Sequence, residues 1–231
     1  ELVAWPKGGD DVRPLLINSA LRRLALRALV RARNELAAAA GKHQYGVGRE
    51  GGANLVVKAL EVQAQLRPNA VFLKIDLKTA FQKLRRDKAF EALEAAEPEV
   101  AASLLKWYTG SCKHLWRNGK GGFEEVESFT GFDQGCPLAA IAFAVGQRGA
   151  LETFLSQLQQ LDPDAKLYSY LDDTYLVVSA EHAVLALAGL QELLAPLDLE
   201  LNHSKTVCWS PAGPTALAEE LRSNWPAGGA L

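Results

Sequence analysis

Two adjacent acids, Asp172 and Asp173, sit between two short strand-forming runs, and no other feature constrains the fold of this chain as tightly. Lys166-Leu167-Tyr168-Ser169 leads into the tetrapeptide Tyr170-Leu171-Asp172-Asp173, and Thr174-Tyr175-Leu176-Val177-Val178 follows it. Both flanks are rich in aromatic and β-branched residues, so they read as strands joined by a tight connection. Adjacent carboxylates repel each other there and give a turn little to pack. A cation between them removes the repulsion, and an oxygen-only ligand set suits Mg²⁺. Taken alone, an Asp-Asp pair is more often solvated turn chemistry.

A third acid shifts the balance. Val71-Phe72-Leu73-Lys74-Ile75 has strand composition and ends on Asp76, while the stretch from Lys78 to Leu84 can start a helix. Asp76 therefore stands at a strand end, either as a helix N-cap or as a third carboxylate beside the pair. Three acids on neighbouring strand tips could bind two divalent ions about 4 Å apart. Such ions clamp the attacking and leaving oxygens of an in-line phosphoryl transfer.

The rest of the chain reads as alternating helices and strands. Residues 15–40, rich in Leu, Ala and Arg, predict one helix stopped by Gly41. A Gly-rich loop at 46–52 precedes a helix over 53–66. Helices over 87–96 and 98–109 are split by Pro98. Residues 112–118 and 122–130 predict a hairpin turning at Asn118-Gly119-Lys120-Gly121. A loop over 131–137 leads to a long helix over 138–160, and a helix over 181–195 ends at Pro196. Leu197-Asp198-Leu199-Glu200-Leu201 alternates like a strand. Strand–helix–strand units with helices on one face of the sheet give an α+β layer.

These pieces resemble reverse transcriptases. Asp76 to Phe81, then Gln134-Gly135-Cys136-Pro137-Leu138, then Tyr170-Leu171-Asp172-Asp173, then Leu201-Asn202-His203-Ser204-Lys205-Thr206 match that family's palm motifs in order and spacing. Trp5-Pro6-Lys7-Gly8-Gly9 with Val12-Arg13-Pro14-Leu15, and Gln44-Tyr45-Gly46-Val47-Gly48-Arg49 with Gly51-Gly52, resemble its fingers motifs. The closest flavour is that of non-LTR retrotransposon polymerases, with group II intron enzymes as near relatives.

The resemblance implies a right-hand polymerase of fingers and palm, with a ferredoxin-like antiparallel palm sheet backed by helices. Residues 1–70 would belong to the fingers and 71–210 to the palm, with a fingers segment near 87–130. Residues 211–231 would lead toward a thumb. The implied activity is RNA-directed DNA polymerisation with two Mg²⁺ ions, Mn²⁺ as a substitute, on an RNA template with a DNA primer and deoxynucleoside triphosphates. Asp76, Asp172 and Asp173 would hold the ions, helped by the Leu77 carbonyl. Lys205 would act near the pyrophosphate as a general acid, or else is a plain surface lysine. Phe81 would lie under the sugar and clash with a 2′-hydroxyl, or else is a core residue. Lys7 and Arg13 would clasp the triphosphate, and Gln134, Gly135 and Pro137 would pack against the nucleotide and template base. Arg49 and Tyr170 would touch nucleic acid. Position 79 is Thr where relatives often carry Asn or Asp. Two other readings stay open: an RNA-dependent RNA polymerase, against which Phe81 and the Tyr-Leu-Asp-Asp form argue, and a degenerate copy kept only to bind nucleic acid.

Composition agrees with a piece of such an enzyme. The 231 residues are 48% hydrophobic, enough for a sizeable core, and contain no Met, which reads as an excised fragment or truncated copy. The net charge of −2 hides an asymmetry, because residues 1–90 hold 17 basic and 8 acidic side chains and residues 91–231 hold 8 and 19. The basic half is the part expected to face template and triphosphate. Arg22, Arg23, Arg27, Arg31 and Arg33 recur along the first helix and read either as part of that surface or as a solvated face. Cys112, Cys136 and Cys208 have no zinc or disulfide spacing. No apolar run is long enough for a membrane span, and the chain opens on no signal-peptide pattern. The expected setting is intracellular, and nuclear for a eukaryotic retroelement.

Overall fold

The computed structural model describes residues 1–8, 11–32, 38–108, 112–118 and 120–213. In chain order the elements begin with β1 (Leu2–Gly8), β2 (Asp11–Leu16), α1 (Ala20–Ala32), α2 (Gly52–Leu66) and β3 (Val71–Ile75). They continue with α3 (Ala80–Lys83), α4 (Arg86–Ala96), α5 (Pro98–Tyr108), β4 (Cys112–Arg117) and β5 (Phe123–Ser128). The last are α6 (Ala139–Leu161), β6 (Lys166–Tyr170), β7 (Asp173–Val178), α7 (Ala183–Leu194) and β8 (Val207–Trp209). The architecture is α+β, with one sheet ordered β2-β1-β4-β5 and a second ordered β6-β7-β3-β8. Every pairing in the second sheet is antiparallel.

Alternation along the strands decides what covers the second sheet. Val71, Leu73 and Ile75 of β3 join Leu176 and Val178 of β7 in the main core, together with buried residues of α4, α6 and α7. Phe72, Tyr168 and Val177 point the other way and pack on Val56 of α2. Helices therefore lie on both faces rather than one, because both sets of alternating residues are apolar and each must be buried. Helix α6, 23 residues and about 34 Å long, is buried on many sides, from Ile141 and Phe143 to Leu155 and Leu158.

Two further expectations change. The first helix starts at Ala20 and not at residue 15, because Leu15 and Leu16 belong to β2 and pair with Val3 and Leu2. The Ser19 hydroxyl accepts the Arg22 amide at 3.3 Å and caps the new start. Residues 33–37 of that expected helix lie outside the described residues. The alternation of Leu197, Leu199 and Leu201 is not a strand. A short 3-10 turn (Ala195–Leu197) and Asp198 at φ +60° interrupt it, and only Leu201 bridges, to Leu77. Leu199 and Leu201 are buried all the same, so the period records one-sided burial without a ladder. Strand β8 has no forerunner in the sequence reading. It pairs with β3 and stacks Trp209 on Phe72, ring centres 4.5 Å apart.

Candidate active site

The register of β6 and β7 closes at Tyr170 opposite Asp173, so only Leu171 and Asp172 form the turn. Leu171 takes φ +57°, a backbone conformation that two-residue hairpins usually give to Gly or Asn and that costs a bulky residue about 1–3 kcal/mol. Two glutamines hold it there. Gln44 Oε1 accepts the Leu171 amide at 2.8 Å, and Gln147 Nε2 donates to the Leu171 carbonyl at 2.8 Å. Gln44 is itself fixed, donating to Ser169 Oγ at 3.1 Å and accepting the Gly46 amide at 2.8 Å. A Cβ at Gly46 would stand 2.8 Å from the Leu171 side chain, so only glycine lets this segment approach the turn.

Asp76 follows the last residue of β3. Ile75 lies opposite Thr174, so carrying the register one residue further sets Asp76 opposite Asp173. Asn202 pins it twice. Its Nδ2 donates to Asp76 Oδ2 and its amide to the Asp76 carbonyl, each at 2.8 Å. Asn202 also leads into the 3-10 turn His203–Lys205, so one residue locates both Asp76 and Lys205. The N-cap alternative for Asp76 does not hold, since α3 starts beyond Thr79. Asp173 Oδ1 lies 3.6 Å from Lys74 Nζ. Burial and then the Asp173 charge push the Tyr175 phenol up. Among the described residues no three His, Cys, Asp or Glu side chains are gathered closely enough to hold a metal as they stand.

A cleft of about 710 Å³ collects the parts. Asp76, Leu77, Asp172 and Asp173 line it with Phe81, Gln134, Asn202 and Lys205, and Pro14 of β2 reaches it as well. Phe81 belongs to cleft and core together, since it lines the space while stacking on buried Phe143, ring centres 4.5 Å apart. The Gln134 carbonyl accepts the Leu16 amide at 2.8 Å, and its side-chain Oε1 is buried with no hydrogen-bond partner. Gly135, at φ +113°, passes so close that a Cβ would stand 2.4 Å from the Leu16 carbonyl oxygen. Gly135 and Pro137 support this loop but do not line the cleft. Arg49 lies apart from it, stacked over Tyr45 at 4.4 Å and donating to the Lys42 carbonyl. Tyr170 ends β6, half-buried, and does not line the cleft either. The side chains of Lys7 and Arg13 lie outside the described part. Their backbones are in β1 and β2, with Arg13 paired to Trp5 and next to Pro14.

Sequence reading missed several residues that shape the site. Gln147 sits mid-helix in α6, where nothing marks it as a ligand of a turn 24 residues away. Gln44 and Asn202 fall inside quoted motifs, but their side-chain partners are 127 and 126 residues distant. Lys83 and Lys78 also line the cleft, and Lys78 is paired with Glu200. A lysine just before a short helix and another at its end read as ordinary surface residues, so neither gave a warning.

A family model described as reverse transcriptase (RNA-dependent DNA polymerase) matches residues 5–220. No curated protein matches the chain. Among solved structures, apo telomerase from Candida tropicalis truncated from its C-terminal domain is similar, with a TM-score of 0.66 and 14% identity over 94% of this chain and 51% of that one. Telomerase from Candida albicans in complex with a fragment of telomeric RNA gives a TM-score of 0.67 and 14% identity over 93% of this chain and 42% of that one. The corresponding Candida tropicalis complex gives 0.64 and 14% identity over 90% and 40%. The chain thus spans about half or less of these structures, and at such identity the likeness is one of fold.

Proposed function

The chain belongs to the reverse transcriptase family, and we propose that its cleft adds deoxynucleotides to the 3′ end of a DNA primer on an RNA template. The observation that carries this reading is the meeting of Asp76, Asp172, Asp173, Phe81, Gln134 and Lys205, from separate stretches of sequence, in one cleft. The donor set is three carboxylates and a backbone carbonyl at Leu77, all hard oxygens, which fits Mg²⁺ with Mn²⁺ as a substitute. Two such ions would lower the pKa of the primer hydroxyl and neutralise the triphosphate.

The protein's own work is positioning and charge placement. Asn202 keeps Asp76 in place, and Gln44 and Gln147 hold the turn that carries Asp172. Lys205 lines the same cleft and would give a proton to the leaving pyrophosphate, and Lys7 and Arg13 of the β1–β2 hairpin would bind the triphosphate. Gln134, with Gly135 and Pro137 behind it, would seat the base pair, while Arg49 and Tyr170 would touch nucleic acid. Residues 1–70 act as fingers and 71–210 as palm in this reading, of the non-LTR and group II intron kind, in an intracellular setting. Two structures of similar fold hold a fragment of telomeric RNA, in keeping with RNA as a partner.

Primer extension on an RNA template tests the proposal. The protein is expected to extend the primer, and Asp172→Asn to leave no detectable product while melting at the same temperature. Normal extension by the Asp172→Asn variant would overturn the assignment of the cleft.

A further inference from the structure

Asp133 stands just before Gln134 in the loop that leads to α6, and its buried carboxylate has partners on two other elements. His114 Nε2 of β4 donates to Oδ1 at 3.1 Å, and the Arg22 guanidinium of α1 lies 3.6 Å from Oδ2. The Asp133 amide donates to Tyr108 Oη, at the end of α5, at 3.2 Å. Upstream, Arg86 of α4 donates to the carbonyls of Ser128, Thr130 and Gly131. Downstream, the Gln134 carbonyl accepts the Leu16 amide. A loop that needed only to be buried would be served as well by an apolar side chain, since a carboxylate loses its hydration there.

Along part of this loop, packing from the first sheet is missing. A cavity of about 170 Å³ lies there, walled by Leu2, Leu16 and Val126 of the sheet and by Phe132, Asp133 and Gln134 of the loop. Such a gap forfeits the contacts that would otherwise fix the side chains around it. His114, on the same sheet, lines the cavity and is bonded to Asp133. Gln134, Pro14 and Gln82 border both this cavity and the active-site cleft, so a shift of the loop alters both spaces. The Gln134 Oε1 has no hydrogen bond of its own to hold it, so its place follows from its backbone. We propose that Asp133 is a positioning residue for nucleotide selection: tied to His114 and Arg22, it sets where Gln134 stands in the cleft and hence how closely the new base pair is checked. This rests on the polymerase reading above, which supplies the nucleotide.

Insertion of a single nucleotide opposite a defined RNA template base, correct or mismatched, is the test. His114→Leu removes the donor to Asp133. It should raise KM for the correct nucleotide about tenfold, keep kcat within about twofold and cut discrimination against the mismatch about tenfold, a factor equal to about 1.4 kcal/mol and near the lower end of what a hydrogen bond to a charged group is worth. His114→Gln, whose amide nitrogen can take the place of Nε2, should recover most of both losses. A merely structural role would lower the fraction of active protein, and so kcat, and would leave KM and discrimination alone. Asp133→Asn keeps the shape but turns an amide toward Arg22, and it should show the same split whether or not His114→Leu folds. Unchanged KM and discrimination in Asp133→Asn, a loss confined to kcat, or no recovery in His114→Gln would overturn the proposal. Amide hydrogen exchange follows the loop without any activity. The Leu16 amide, bonded to the Gln134 carbonyl, should exchange about tenfold faster in Asp133→Asn, while the amides of β3 and α6 keep their rates. An unchanged Leu16 rate would overturn the proposal as well. Faster Leu16 exchange in a protein that extends no primer would leave Asp133 as the holder of the loop and sink the polymerase reading.

Discussion

At the scale of single residues, the cleft depends on side chains that have two roles. Phe81 stacks on Phe143 with one part of its surface and lines the cleft with another, so its position is set by the core and its bulk is presented to the sugar. Phe81→Ala should raise ribonucleotide incorporation relative to deoxynucleotide by roughly a hundredfold, the selectivity of about 3 kcal/mol of steric exclusion. Competing single-nucleotide extensions measure it, and unchanged selectivity in a folded variant would assign Phe81 to packing alone. Gln147 is the converse case, a buried polar residue whose Nε2 holds the Leu171 carbonyl while its Oε1 has no partner. Gln147→Leu removes the unpartnered Oε1 together with Nε2, and Ser169 Oγ still donates to the Leu171 carbonyl at 3.2 Å, so stability should move by no more than about 1 kcal/mol. The strained turn would lose a clamp, and extension should require a higher Mg²⁺ concentration for half-maximal rate. A variant with unaltered metal dependence would show that Gln44 and Ser169 suffice.

At the scale of elements, one ionic latch joins three of them. Arg67, just past α2, pairs with Asp162 at the end of α6 at 3.0 Å and donates to Ser179, just past β7, at 2.9 Å. Asp162 Oδ2 accepts the Ser179 amide at 2.6 Å. Helix α2 buries little apolar surface of its own, with Val56 its one buried large side chain, so the latch matters to its docking. Arg67→Ala should cost about 3 kcal/mol in urea unfolding, because it leaves a buried carboxylate short of its counter-charge. Lys58→Ala, which breaks an exposed pair with Glu61 on the same helix, should cost under about 0.5 kcal/mol. Equal losses would mean that the latch is no stronger than a surface pair.

For the whole molecule, two buried carboxylates set the acid limit. Burial works to raise Asp133, but the hydrogen bond and charge of His114, with the charge of Arg22, hold it below its usual range. Burial likewise opposes Asp162, and the Ser179 amide and Arg67 prevail. A carboxyl held low in the folded state adds stability that is complete above its unfolded pKa, near 4, and fades as the pH falls through the folded value. The melting temperature should therefore drop as the pH goes below about 4. The drop should be shallower in Asp162→Asn, whose folded and unfolded forms no longer differ in proton uptake at that site. Parallel curves for the two proteins would remove Asp162 from the account.

What the amino-acid order determined by itself was local: the Asp172–Asp173 hairpin, the strand ending on Asp76, Phe81 five residues beyond it, and the helices from α2 onward to within a few residues. Each rests on alternation, helical period or a turn signal among neighbours, and needs no distant partner. The tertiary structure decided the rest. Leu15 and Leu16 follow β2 and not α1 because Leu2 and Val3 are there to pair with them. Leu199 and Leu201 alternate without a ladder because Gln191 accepts the Leu201 amide, taking the place of a neighbouring strand. Asn202 becomes the holder of Asp76, and Gln44 and Gln147 the holders of Leu171, only once segments far apart in the chain are packed together. Hydrogen bonds of that kind leave no periodic trace in a sequence, since their spacing is set by the fold and not by the geometry of any one helix or strand.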